Sequence, residues 1–108
     1  MHHIVAAFYI ADDVEAPKAK GVRTGYSPHH KFSTVQWLAS GRHSYDDSDI
    51  HYPGETLKAR IAFASWEHLR DHVHVGDRFE VRELDRIIGH GTVEEILQQQ
   101  SEGGLPIR

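Results

Sequence analysis

From Phe79 the chain alternates apolar and polar residues as Phe79, Glu80, Val81 and Arg82. After a polar corner at residues 83–86 the apolar character returns in Ile87, Ile88, Gly89, His90, Gly91, Thr92 and Val93. A two-residue period with one apolar set is the pattern of a strand with one buried face. The stretch 76–97 therefore reads as a hairpin. Gly89 and Gly91 leave no side chain to pack, which inside a strand marks a bulge, a bend or the close approach of another backbone. Gly91 is expected to sit where the last strand bends or meets a neighbouring backbone. Residues 3–10 place Ile4, Ala6, Phe8 and Ile10 on one face and Val5, Ala7 and Tyr9 on the other, and the second face is also apolar. That pattern suits a strand covered on both sides. In residues 56–64, TLKARIAFA, Leu57, Ala59, Ile61 and Phe63 turn inward while Lys58 and Arg60 turn out. Pro53 and Gly54 before it suit the two central positions of a type II turn.

The remaining segments are less regular. Residues 11–24 carry Pro17, Gly21 and many charges without a period and read as a surface loop. Residues 32–38 read as a further strand, with Trp37 as a core or rim anchor, and residues 39–53 as a polar loop. Ser65 is placed to cap a short helix over 65–73 whose apolar positions Trp66, Leu69 and Val73 recur at helical spacing. The polar tail 99–108, with paired glycines and a proline, is expected to fray. This leaves a single β-barrel domain over 1–98.

Composition narrows the class. At 108 residues the chain has room for one core, and 39% hydrophobic with 26% charged residues is the balance of a water-soluble globular domain. No apolar run approaches the roughly 18 residues a helical span requires. The segment MHHIVAAFYIADD lacks a basic flank and soon meets Asp12 and Asp13, so it is not read as a signal peptide. Without cysteine there is neither a disulfide framework nor a thiolate metal site, and a cytoplasmic location is the expectation. The net charge of −4 argues against general nucleic-acid binding, which needs a surplus of Lys and Arg. Ten histidines would carry that charge from −4 to +6 if all were protonated, which happens around a pKa of about 6.5 for an unperturbed imidazole.

Several short motifs occur together in order. Gly76, Arg78, Phe79, Arg82 and Glu83 precede Gly89 and Gly91, and upstream stand Gly25, Tyr26, Pro28 and Phe32. With the Pro53–Gly54 turn that leads to Lys58, these resemble the C-terminal barrel, domain III, of the elongation factor Tu family. The resemblance covers most of 25–97. It implies an all-β fold, a small closed antiparallel Greek-key barrel, standing without the family's GTPase domain, since no GxxxxGK[ST] loop is present. Ser27 replaces a family arginine, and the segment 65–75 is longer than its family counterpart. The resemblance further implies that Lys58, Arg82 and Glu83 lie where the family contacts transfer RNA. Arg60, and Tyr26 from the Gly25 motif, complete the candidate partner-binding set. By strand alternation Lys58, Arg60, Arg78 and Arg82 all face outward, and on adjacent strands they would merge into a basic strip.

The other chemistry is weaker. His68 and His72 share a face on a helix, and His72 and His74 share one in an extended chain, but no single conformation serves both pairs. Solvent-facing histidines are the expectation there. Asp46, Asp47 and Asp49 lack the glycine and distal glutamate of a calcium loop. No GxSxG elbow is present, and neighbouring carboxylates such as Glu94 and Glu95 point apart in a strand. The sequence thus reads as a non-catalytic binding module, with no catalytic residue, metal or cofactor. Its expected partner is a protein or a structured RNA such as transfer RNA, not DNA or a membrane. A histidine-based metal-dependent enzyme and a self-associating structural module, such as a homodimer, are the alternatives.

Overall fold

A computed structural model describes residues 1–97. Its strands are β1 Ile4–Ile10, β2 His29–Phe32, β3 Ala39–Ser44, β4 Thr56–Phe63, β5 Arg78–Glu83 and β6 Arg86–Ile96, with a helical turn, α1 Trp66–Leu69, running into a 3-10 turn at Arg70–His72. All strand pairs are antiparallel. They close into a barrel in the order β1-β4-β3-β2-β5-β6. Three consecutive strands, β2, β3 and β4, lie side by side and β1 pairs with the last of them, which is Greek-key ordering. The fold class expected from the sequence is the one observed. The tail 99–108 lies outside the described residues.

Strand alternation fills the interior. Ile4, Ala6, Phe8 and Ile10 from β1 are fully buried, as are Ala59 and Ile61 from β4, Val81 from β5 and Ile88 from β6. Two glycines on β6 make room for what presses against that strand. A Cβ on Gly91 would lie 2.1 Å from Cζ of Phe79, its partner across the β5–β6 pair. A Cβ on Gly89 would lie 2.1 Å from the carbonyl oxygen of Tyr9. The neighbouring backbone therefore comes close at Gly89, whereas Gly91 is crowded by a ring. The turn at Pro53–Gly54 forms as expected, with Gly54 at φ +97° and Glu55 N–H donating to the Tyr52 carbonyl at 3.1 Å.

Three local expectations fail. Strand β2 ends at Phe32, because the Lys31 ammonium donates to the carbonyls of Phe32 and Val35 and holds the chain in a turn. Trp37 lies beyond it, 42% exposed, with its ring edge-on to His72. Strand β3 forms inside the segment read as a polar loop. Its inward residues are Ala39, Gly41 and His43, a set too small and polar to look like a buried face. Gly41 is needed there, since a Cβ would stand 2.8 Å from the His30 ring and 2.9 Å from Ile61. Last, Ser65 precedes α1 without a side-chain capping bond, so α1 is held by burial of Trp66 and Leu69.

Candidate functional site

The barrel order separates the predicted basic strip. Strand β4 lies between β1 and β3, and β5 lies between β2 and β6. Lys58 and Arg60 are therefore on one side of the barrel and Arg78 and Arg82 on the other. The strip expected from alternation does not exist, because alternation gives the facing of a side chain but not the neighbour of its strand. Arg60 pairs with Asp46 at 2.8 Å, and Lys58 has no ion-pair partner among the described residues.

On the β5 side a groove of about 320 Å³ runs over the outer face of β2, β5 and β6. Lys31, Ser33, Arg78, Phe79, Glu80, Arg82 and His90 line it. The register explains the grouping: Lys31 stands opposite Glu80, Glu80 opposite His90, and Arg78 opposite Thr92. Arg82 donates from Nε to Glu80 at 2.8 Å, and its second nitrogen reaches the same oxygen. One carboxylate thus neutralises one of three cations, leaving a local surplus of positive charge on a chain whose net charge is −4. His90, between its two glycines, is exposed at the groove.

Tyr26 and Glu83 do meet, but inside a clasp. The Tyr26 hydroxyl donates to Glu83 at 2.8 Å, and Lys18 reaches the same carboxylate oxygen at 2.6 Å. Arg86 donates to the carbonyls of Ala16 and Pro17 at 2.9 and 2.8 Å. These bonds fasten the 11–28 segment to the β5–β6 hairpin. Burial opposes ionisation of Glu83, but the bonds from Lys18 and Tyr26 outweigh it and hold its carboxyl below the usual value. Burial, with the bond to Glu83, pushes the Tyr26 phenol up. Both side chains are therefore engaged within the molecule.

A polar chain that sequence reasoning did not find lies in the barrel interior. His30 and His43 are fully buried. His30 Nδ1–H donates to the Ala39 carbonyl at 2.9 Å, which leaves its Nε2 to accept from His43 Nε2–H at 2.8 Å. His43 Nδ1 then accepts from the Tyr45 hydroxyl at 2.9 Å. Each ring nitrogen has one role, so both tautomers follow from the bonding. Burial pushes His30 down to about 4 and His43 well below its ordinary value. The alternation His30, Phe32 on β2 was the available signal, since it puts the imidazole on the face of the core phenylalanine.

His68, His72 and His74 fall on α1, on the 3-10 turn and beyond it, all exposed. Among the described residues no three His, Asp or Glu side chains converge as metal ligands do. His51 is instead gripped by two carboxylates, Nδ1 to Glu55 and Nε2 to Asp47, each at 2.8 Å. The bonds to Glu55 and then Asp47 raise its pKa. No helix among the described residues is long and apolar enough to cross a membrane. No protein-family model matches the chain, and neither does any curated protein.

Proposed function

We propose that this barrel is a non-catalytic binding module that receives an anionic partner, a structured RNA ahead of a protein, on the outer face of β2, β5 and β6. The observation that carries the reading is the groove lined by three cations, Lys31, Arg78 and Arg82, and a single carboxylate, Glu80, which is paired with Arg82, on an otherwise acidic chain. The motif resemblance to the elongation factor Tu C-terminal barrel assigns Lys58, Arg82 and Glu83 to the RNA side, and of these three Arg82 alone lines this groove. Glu83 and Tyr26 then act by holding the hairpin next to the groove rather than by touching the partner. Lys58 and Arg60, on the far side, stand outside this surface.

A groove with few cations binds through phosphates and shape, not through base edges. Folded transfer RNA, used as the probe, should bind measurably at near-physiological salt, while random duplex DNA should not. Arg78→Ala and Arg82→Ala should each weaken binding and each lower the salt slope by about one counterion. Equal loss from Lys58→Ala would move the site to the other side of the barrel. No binding of transfer RNA by the folded protein would remove the RNA reading and leave protein recognition.

A further inference from the structure

The His30–His43 bond joins two strands whose own pairing is short. β2 and β3 share two paired positions, His29 with Ser40 and His30 with Ala39, whereas β1 and β4 share six. Beyond the paired positions the ladder is continued by Gly41 N–H to the Pro28 carbonyl at 3.2 Å and His43 N–H to the Tyr26 carbonyl at 2.8 Å. Inside the barrel two side-chain bonds cross the same junction: His30 to the Ala39 carbonyl, and His43 to His30. We propose that this imidazole chain is an acid-sensitive latch, which holds β2 to β3 at neutral pH and releases that junction when the medium is acidified.

Proton bookkeeping on the chain gives the mechanism. A first proton enters at His43 Nδ1 once the Tyr45 hydroxyl turns its oxygen to accept from it, and the proton between the rings then sits on either Nε2. The pair then carries one positive charge. No carboxylate answers it. The groups that face the pair are Phe8 from β1, Ile61 and Phe63 from β4, Phe79 and Val81 from β5, Tyr26 from the segment before β2, and Tyr45 after β3. His29, the next residue on β2, adds no counter-charge, and the Tyr26 hydroxyl is committed to Glu83. A second proton would leave two N–H groups pointing at each other across 2.8 Å. Buried charge without a partner is strongly disfavoured. The open junction, in which water solvates both rings, takes up the protons instead.

The test is amide hydrogen exchange on the full chain between pH 7.5 and 4.5, together with imidazole nitrogen NMR. At neutral pH the spectra should show His30 protonated at Nδ1 and His43 at Nε2. Below about pH 6.5 the opening constant of β2 and β3 amides should rise about tenfold per pH unit if one imidazole is protonated on opening, and about 100-fold if both are. Amides of β1 and β6 should lag behind. Replacing the whole chain by apolar groups, with His30→Leu, His43→Leu and Tyr45→Phe, should abolish most of this response. If that variant does not fold, the wild-type data still decide. Exchange of β2 and β3 in step with β1 and β6, rings titrating normally near 6.5 in the folded protein, or an undiminished acid response in the apolar variant would each overturn the latch.

Discussion

Gly91→Ala adds one methyl to β6 and tests the packing that closes the barrel. The new Cβ would lie 2.1, 2.4 and 2.8 Å from three ring carbons of Phe79. That ring is 3% exposed and lies against Phe32 at 4.9 Å and His30 at 5.6 Å between centroids, so it cannot swing into water. Overpacking a closed core costs typically about 1–3 kcal/mol, and a boxed ring puts this site near the upper end. Replacing a strand glycine returns about 0.5–1 kcal/mol of chain entropy, so a net loss of about 2 kcal/mol is expected. In a domain of this size that lowers Tm by about 8–16 °C. Urea unfolding followed by tryptophan fluorescence measures it directly. The partner is then trimmed: in Phe79→Leu the methyl has room, so the double variant Phe79→Leu/Gly91→Ala should be more stable than the sum of the single losses allows, by at least about 1 kcal/mol. A loss below about 0.5 kcal/mol in Gly91→Ala, or additivity within that margin, would refute the assigned contact.

Two further outcomes are expected. Leu84 sits at φ +58° in the two-residue loop between β5 and β6, a place where glycine is normally found, and its side chain is 68% exposed. Leu84→Gly should therefore raise stability by about 1 kcal/mol in urea unfolding, and a loss would show that the strain is absent. His51 has a raised pKa in the folded chain, so its carboxylate clasp contributes stability that is present below about pH 6.5 and is lost as pH rises through the raised value. The urea midpoint of His51→Gln should fall furthest below wild type in mild acid, with the gap closing above neutrality; a gap that widens with pH would contradict the clasp. The buried pair shifts in the opposite sense but is common to both proteins and cancels in the difference.

Much of the barrel was legible because its long strands obey the period. The set Ile4, Ala6, Phe8, Ile10 and the set Leu57, Ala59, Ile61, Phe63 each point to one interior, and the residues that fill it are those the pattern names. β3 escaped because its buried set is Ala39, Gly41 and His43, residues selected to leave space for an imidazole rather than to supply apolar bulk. The site was legible one residue at a time and not as a surface. Arg82 and Arg78 were read correctly as outward-facing, yet their neighbours Lys31, Ser33 and His90 come from register and strand order, which no local pattern encodes. Strand order likewise sends Lys58 and Arg60 to the opposite side. Glu83 and Tyr26, 57 residues apart, meet only because the 11–28 segment folds back on the hairpin.

The measurement that bears most directly on the binding-module reading is an amide chemical-shift titration of the folded protein with folded transfer RNA at near-physiological salt. Backbone signals of β2, β5 and β6 around Lys31, Arg78, Arg82 and His90 should shift together, while those of Lys58 and Arg60 on β4 stay in place, and Arg78→Glu with Arg82→Glu should abolish the shifts. Shifts centred on β4 instead, or none anywhere at saturating RNA, would contradict an anionic partner on this face.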